Sequence, residues 1–348
     1  MSFKKLSQVV TSSALAVASF QAVADANHAG VSGAYTHAPI SVMGDHMHAK
    51  GEFMFSYRAM RMEMEGMRAG DERVSEREVT GTMGSPGPYM ISPTKMTMDM
   101  HMLGAMYAPS NDVTLMLMLP YIEMEMDHVT RMGAEFTTET SGIGDAKIAA
   151  LFKMGEYTSG EVLNRFHFTA GLSAPTGSLD EKDLTPMGVS QLPYPMQLGT
   201  GTWDLRPAIT HQAYKGQWNW GSQLSANLPL ESRNDEGYRW GPKGELSVWG
   251  AFAMSDALSL SLRLKASKWA GISGERDDLN PMMVSTADTS NSGGTRVEAG
   301  LGANYMIQGG SLAGNRFSLE VLAPIQQRLE GVQLETDLTV TAGWQLAM

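Results

Sequence analysis

Hydrophobic and polar residues alternate with a period of two along most of this chain. Leu258, Leu260, Leu262, Leu264 and Ala266 interleave with Ser259, Ser261, Arg263 and Lys265. Successive side chains of a strand point to opposite faces, so such a segment has one apolar and one wet face. Val297, Ala299, Leu301, Ala303 and Tyr305 repeat the pattern, as do Phe317, Leu319, Val321, Ala323 and Ile325. Near the C-terminus Leu338, Val340, Ala342, Trp344 and Leu346 alternate with Thr339, Thr341, Gly343 and Gln345.

Twelve segments qualify: 50–62, 94–108, 111–124, 142–155, 162–175, 199–214, 217–231, 242–254, 257–270, 295–306, 314–326 and 335–347. Most are ten residues or longer, which exceeds the ~5–6 residues usual in soluble sheets and suits the ~9–11 of a tilted membrane-crossing strand. Short connections (Ala108–Asp112, Gly155–Gly160, Lys215–Gly216, Ser255–Asp256, Gln308–Asn315) alternate with longer ones such as Gly66–Ser92, Thr176–Leu198 and Gly271–Gly294. An even strand count with alternating short turns and long loops predicts an all-β fold, a closed antiparallel transmembrane β-barrel of about twelve strands. Closure matters physically, because a free sheet edge in lipid would leave N–H and C=O groups unpaired. A soluble β-sandwich, the competing all-β architecture, predicts shorter strands and no loop asymmetry. Tyr107, Tyr121, Trp218, Trp220, Trp249, Trp269, Tyr305 and Trp344 fall near strand ends, where interfacial aromatic girdles belong.

The start of the chain changes the domain picture. Lys4 and Lys5 precede an apolar run from Val9 to Phe20, and Ala22-Val23-Ala24 supplies small residues at cleavage spacing. This order predicts a signal peptide over 1–24, cut after Ala24 or alternatively Ala26. Residues 25–49 then form a His- and Met-rich periplasmic segment suited to plug a barrel over 50–348. The chain has no Cys, which removes disulfides, thiolate metal sites and a Cys nucleophile. Its formal net charge is −11, and without basic stripes it is unsuited to nucleic acid. No run of 18 apolar residues occurs, so no spanning helix is expected.

Three motifs carry a family resemblance: Ser141-Gly142-Ile143-Gly144-Asp145, Gly171-Leu172-Ser173-Ala174-Pro175-Thr176-Gly177-Ser178 and Leu198-Gly199-Thr200-Gly201-Thr202-Trp203-Asp204. With Leu334-Glu335-Thr336-Asp337 and Gly343-Trp344-Gln345, the chain resembles, over 50–348, the outer-membrane family labelled "MetA-pathway of phenol degradation". The resemblance implies a barrel of a Gram-negative outer membrane and a channel for small organic molecules, with no catalytic residues. Implied partners are outer-membrane lipid, lipopolysaccharide, the barrel-assembly machinery and a small-molecule solute. One departure is the final residue, Met348, where such chains commonly end in an aromatic. Glycines 142, 144, 199 and 201 stand where long loops run into strands, and glycine there permits bulges and tight turns. Asp145 with Lys147, and Asp204 with Arg206, are expected as lumenal charge pairs that neutralise each other.

Of 28 methionines, 19 lie between Met43 and Met132. Many occupy every second position (Met60, Met62, Met64; Met96, Met98, Met100, Met102; Met116, Met118; Met124, Met126), which puts each run on one strand face. Parity with Phe53, Phe55 and Tyr57, and with Leu115, Leu117 and Leu119, turns the first and third runs inward. In the second strand the face opposite the methionines carries Lys95, Thr97, Asp99 and His101, which suit water better than lipid. One reading is a flexible apolar wall that accepts varied greasy solutes. The other is a soft-metal surface, since neutral thioethers suit Cu(I). Its candidate ligands are Met43, His46, Met47, His48, Met98, Met100, His101, Met102, Met124, Met126 and His128. Sulfurs along one strand are ~6.5–7 Å apart, so ligands would have to converge across strands.

Enzymatic readings find little support. His167 with Thr169, and His211 with Thr210 and Gln212, come nearest to a Ser–His arrangement, and there is no Gly-x-Ser-x-Gly elbow. Asp180, Glu181 and Asp183 read as a solvated loop or a weak divalent-ion contact with lipopolysaccharide. The expected function is a non-enzymatic channel for small hydrophobic or aromatic compounds, needing no cofactor. The alternative is copper handling.

Overall fold

A computed structural model describes residues 33–348. The signal-peptide and cleavage expectations for residues 1–24 lie outside the described residues.

Eleven long strands form one antiparallel ring: β1 (Phe53–Gly70), β2 (Ile91–Ser110), β3 (Val113–Thr130), β4 (Ala146–Ser159), β5 (Val162–Ala174), β6 (Asp204–Lys215), β7 (Trp218–Pro229), β8 (Lys243–Ala253), β9 (Leu258–Trp269), β10 (Gly294–Met306) and β11 (Asn315–Ala347). Each pairs with its sequence neighbour, and β11 closes the ring on β1 from Met54↔Ala347 onward. An odd number of strands cannot close with every neighbour antiparallel. The resolution lies in β11, 33 residues long, which doubles back at Gly331 (φ +67°). Its first limb pairs with β10 through Met306↔Arg316 and its second with β1. Trp344 Nε1 donates to Asn315 Oδ1 at 2.7 Å and Gln327 Nε2 donates to the Thr336 carbonyl at 2.8 Å, so the limbs lie side by side. The wall therefore makes twelve crossings. The last two predicted segments are one strand with a tight turn where the alternation of loop lengths predicts a long connection.

The outer surface follows the alternation. Leu262, Leu301, Leu319, Leu224, Ile209 and Phe152 point outward around the ring and are exposed. On β9 the apolar face runs from Leu258 to Ala266. At ~3.3 Å per residue and ~40° tilt this climbs roughly 20 Å, against an apolar band of about 25 Å in outer-membrane barrels.

The first three strands run further than their apolar faces predict. Above Tyr57, His101 and Tyr121 their outward face turns charged, with Arg61 bonded to Asp99 (3.0 Å) and Glu63 (3.2 Å) and His101 Nε2 3.9 Å from Glu123. Segments 63–70, 91–93 and 125–130 thus extend the barrel beyond its apolar outer belt, and part of the predicted 66–92 loop is strand. A further strand, Glu135–Ile143, pairs with β3 above β4 (Tyr121↔Ile143 to Val129↔Glu135). Its sequence, EFTTETSGI, has polar residues on both faces, unlike the strands of the apolar belt.

Residues 33–50 lie inside the barrel. The hydroxyl of Ser259 donates to the Ala34 carbonyl, that of Tyr214 to Thr36, Arg58 Nε to Ile40, Gln223 Nε2 to Met43, and His167 Nε2 bonds the Gly44 carbonyl at 2.8 Å. The segment begins at the short-turn end, where Ala34 N donates to Asp256 O, and returns there, where Gly51 N donates to Ala108 O. It is a plug across that end. Trp249, expected in the outer girdle, points inward and packs with Ala38 and Val42 of the plug, 2% exposed. Its indole N–H donates to Asn219 Oδ1. Parity decides this: Trp249 falls between outward Val248 and Gly250.

Candidate functional site

Strand pairing sets the methionines of β1, β2 and β3 in transverse rows. Met64, Met96 and Met126 are cross-strand partners, as are Met62, Met98 and Met124, and Met54, Met106 and Met116. Partners in register share a face, so the upper two rows adjoin as a thioether wall inside the barrel, while Arg58–Met102–Pro120 and Ser56–Gly104–Met118 separate the lowest row from them. The upper two rows stand level with the charged outer band, above the apolar belt. Unbranched thioethers fill irregular gaps without demanding one geometry.

Against this wall lies the connection between β5 and β6, folded inward as a lid. Met196 is fully buried among Met96, Met124, Met126, Leu192 and Leu198. Gln197 Nε2 donates to the Leu192 carbonyl at 2.7 Å, and its Oε1 accepts from Glu181 N at 3.0 Å. Arg276, from the loop after β9, fastens the lid from above. It donates to the Leu179 carbonyl (2.6 Å) and to Asp180 (2.9 Å), lies 3.2 Å from Glu236, and its backbone N–H donates to the Tyr194 hydroxyl at 3.0 Å. Tyr238 packs on Tyr194 with ring centroids 4.7 Å apart, and burial pushes its hydroxyl up to about 12. Three loops are thus tied by one guanidinium. The carboxylates expected as a solvated patch serve the same end: Glu181 accepts from the Thr140 hydroxyl and Asp183 from Glu139 N, which covers the free edge of Glu135–Ile143.

Beneath the lid, between the methionines and the facing strands, a cavity of about 370 Å³ remains. One side is Met62, Met64, Met98, Met100 and Met124; the other is Asp145, Lys147, Asp204, Arg206 and Asn227. Asp145 and Asp204 do not simply neutralise their i+2 cations, as the sequence led us to expect. Asp145 accepts from Gly177 N (3.0 Å), Thr200 N (2.8 Å) and the Thr200 hydroxyl (2.9 Å), so it pins both ends of the lid. Asp204 accepts from the Thr202 hydroxyl and from Asn227 Nδ2, while Arg206 donates to Asn227 Oδ1. Gly177 and Gly199 let the two ends of the lid touch: a Cβ on Gly199 would meet the Gly177 carbonyl oxygen at 2.5 Å. This gives the two glycine motifs a shared physical purpose.

Opposite the methionines in the ring, the lumen carries ion pairs. Lys265 lies 2.7 Å from Glu298 and 3.7 Å from Glu245, and Lys243 lies 3.6 Å from Glu245. Below them Arg263 pairs with Glu320 at 3.2 Å. The interior therefore offers one soft apolar wall and one ionic wall.

The proposed ligands are dispersed. Met98 and Met124 share a row with Met62; Met126 shares one with Met64 and Met96. Met100 stands beside Met60, and Met102 beside Arg58. His101 lies on the outer face, bonded to the Tyr57 hydroxyl at 2.6 Å, apart from the sulfurs. His128 is buried one step above Met126, stacked on Phe136. In the plug, Met47 packs against Met54 and Met106, Met43 offers its carbonyl to Gln223, and His48 lies beside His46 with centroids 4.8 Å apart. His46 meets His37 and Asp45. Sequence reasoning singled out neither the lid residues Tyr194 and Met196 nor Trp240 at the cavity, since nothing periodic marks a loop that folds inward. His167 and His211 face Gly44 O and Asn164 Oδ1 respectively, rather than a serine.

No protein-family model matches the chain, and no curated protein matches it. Among solved structures the fold is similar to the COG4313 outer membrane channel from Pseudomonas putida F1, at 15% identity and a TM-score of 0.59, covering 88% of this chain and 98% of that chain. A FadL homologue from Pseudomonas aeruginosa (8% identity, TM-score 0.38, 85% and 90% covered) and the P. putida toluene transporter TodX (7%, 0.40, 86% and 90%) match more loosely. At these identities the similarity is one of fold.

Proposed function

We propose that the protein is an outer-membrane channel of a Gram-negative bacterium that takes up or releases small apolar or aromatic solutes. The observation that carries this reading is the cavity beneath the lid, whose methionine wall offers adaptable apolar contact within a closed barrel. The motifs that resemble those of the phenol-degradation family suit the same solute class, and the structurally similar P. putida protein is described as a channel. A solute arriving from the long-loop side meets Met62, Met98 and Met124 beneath the lid; the plug must move before it can pass to the other end. Uptake of toluene and phenol into liposomes tests the reading. Saturable uptake, slowed at least tenfold by Met98→Asp with the β-sheet spectrum retained, is expected. Uptake no faster than in protein-free liposomes, while a sugar of similar size passes, would overturn it.

A second reading draws on the rows themselves. Met62–Met98–Met124 and Met64–Met96–Met126 bring thioethers of three strands together, as handling of a soft ion such as Cu(I) requires. Competition for Cu(I) against a chromogenic chelator, with and without Met98→Leu and Met124→Leu, separates this role from solute transport.

A further inference from the structure

A second constellation lies in the plug, away from the methionine cavity. His37 Nδ1 and His46 Nδ1 are 3.3 Å apart, His46 Nδ1 is 2.8 Å from Asp45 Oδ1, and His37 Nδ1 is 3.8 Å from Asp45 Oδ2. Two residues that are nine apart in sequence meet because Gly44, at φ +58°, turns the chain back. The Ala38 N–H donates to Asp45 Oδ2 at 2.9 Å and fixes the carboxylate toward the rings. His37 and Asp45 are 5% and 3% exposed, so the arrangement is built into the packed interior.

One proton on His46 Nδ1 suffices for the 2.8 Å bond to Asp45 Oδ1. A ring nitrogen carries either a proton or a lone pair, and a proton on His46 Nδ1 lies in the ring plane, aimed at Asp45 or at His37. A cation among the three serves every lone pair together. Ligands ~2.0–2.2 Å from a tetrahedral centre are about 3.4 Å apart, and the three separations here bracket that value. We propose that His37, Asp45 and His46 bind a divalent first-row transition ion of the zinc or copper(II) class, which fastens the plug in the barrel. Two imidazoles and a carboxylate suit such borderline ions, whereas calcium and magnesium favour all-oxygen shells and Cu(I) favours sulfur. Arg58 lines the same small cavity as Asp45 and His46. The nearby guanidinium charge opposes a second cation, which moderates affinity. Binding to the plugged state alone stabilises that state as RT ln(1 + [ion]/Kd).

The test uses the refolded full chain in detergent, stripped with chelator and titrated calorimetrically with Zn(II) and with Cu(II). One equivalent is expected to bind, at least tenfold more weakly in His37→Ala and Asp45→Asn, and unchanged in His101→Ala on the outer face. Absence of saturable binding, or binding undiminished in both plug variants, would overturn the proposal. Should those variants fail to refold, the electron paramagnetic resonance spectrum of Cu(II) on the unaltered protein decides. Coupling to two nitrogens supports the site, and a spectrum without nitrogen coupling removes it. Solute uptake is measured separately, so the channel reading stands or falls independently.

Discussion

Ser41 of the plug is joined twice to Glu320 of the barrel wall: its backbone N–H donates to Oε2 at 3.0 Å, and its hydroxyl donates to the same oxygen. Arg263, 3.2 Å from Glu320 and donating to the Ser41 hydroxyl at 2.7 Å, completes a buried triad between plug, β9 and β11. Removing one member of a buried ion pair leaves the other charge uncompensated, at a cost of about 3–5 kcal/mol. Glu320→Ala is therefore expected to loosen the plug and raise single-channel conductance in planar bilayers, while Arg263→Met with Glu320→Met, which removes both charges, costs less stability. Equal conductance in Glu320→Ala and the unaltered protein would mean that the triad does not hold the plug.

The outward leucines and the charged band above them predict opposite responses to the same substitution. Leu262 is 66% exposed in the middle of the apolar belt, where an arginine costs about 2–4 kcal/mol in an outer-membrane barrel. Thr97 faces outward beside Glu63 and Glu125, above the belt. Leu262→Arg should lower the urea midpoint of refolding into lipid vesicles, and Thr97→Arg should leave it within about 0.5 kcal/mol. Equal losses in both would mean that the bilayer sits elsewhere on the barrel.

Strands such as Leu258–Trp269 were legible because an apolar outer face and a polar lumenal face impose strict alternation. Above the apolar belt that contrast disappears. Glu135–Ile143 has no apolar face, and Arg61, Glu63 and Glu65 alternate with methionines, so the sequence marks where strands cross the apolar belt rather than where they end. The inward methionines of β1 and β3 could be read from parity with Phe53 and Leu115. The lid could not, because Met196 reaches Met126 across 70 positions without any local signature. Likewise His37 meets His46 only through the turn at Gly44, which a list of His and Met positions does not reveal.

The loops have an acid-sensitive joint. Asp288 accepts from the Tyr89 hydroxyl at 2.8 Å and from Ser290 N and Oγ at 2.9 and 2.7 Å, linking the connection before β2 to that before β10. Burial works to raise the Asp288 carboxyl, but these bonds outweigh it and hold it below its ordinary value of 3.8. A depressed carboxylate contributes stability that is complete above the unfolded value and is lost as pH falls through the folded one. Proteolysis of the 271–293 loop by pepsin should therefore quicken as pH drops below 3.8, and Tyr89→Phe should shift the onset upward. An identical pH profile in Tyr89→Phe would show that the bond does not govern the loop.

Met196 is the apolar anchor of the lid, wholly buried against Met96, Met124 and Met126. Truncating a buried methionine costs about 2–5 kcal/mol, depending on how far the site can collapse. Here the polar ties through Gln197, Arg276 and Asp145 remain, so Met196→Ala should free the middle of the lid without detaching its ends. Three consequences are expected together. Backbone amides of Leu192–Leu198 exchange faster, aromatic solutes bind and leave faster, and their affinity falls as one side of the cavity opens to water. Met187, 63% exposed at the tip of the Lys182–Gln191 hairpin, provides the contrast, since Met187→Ala removes no buried contact. Faster exchange at Leu192–Leu198 with unaltered solute kinetics would uncouple lid from cavity, and solute entry would then have to follow another route through the loops.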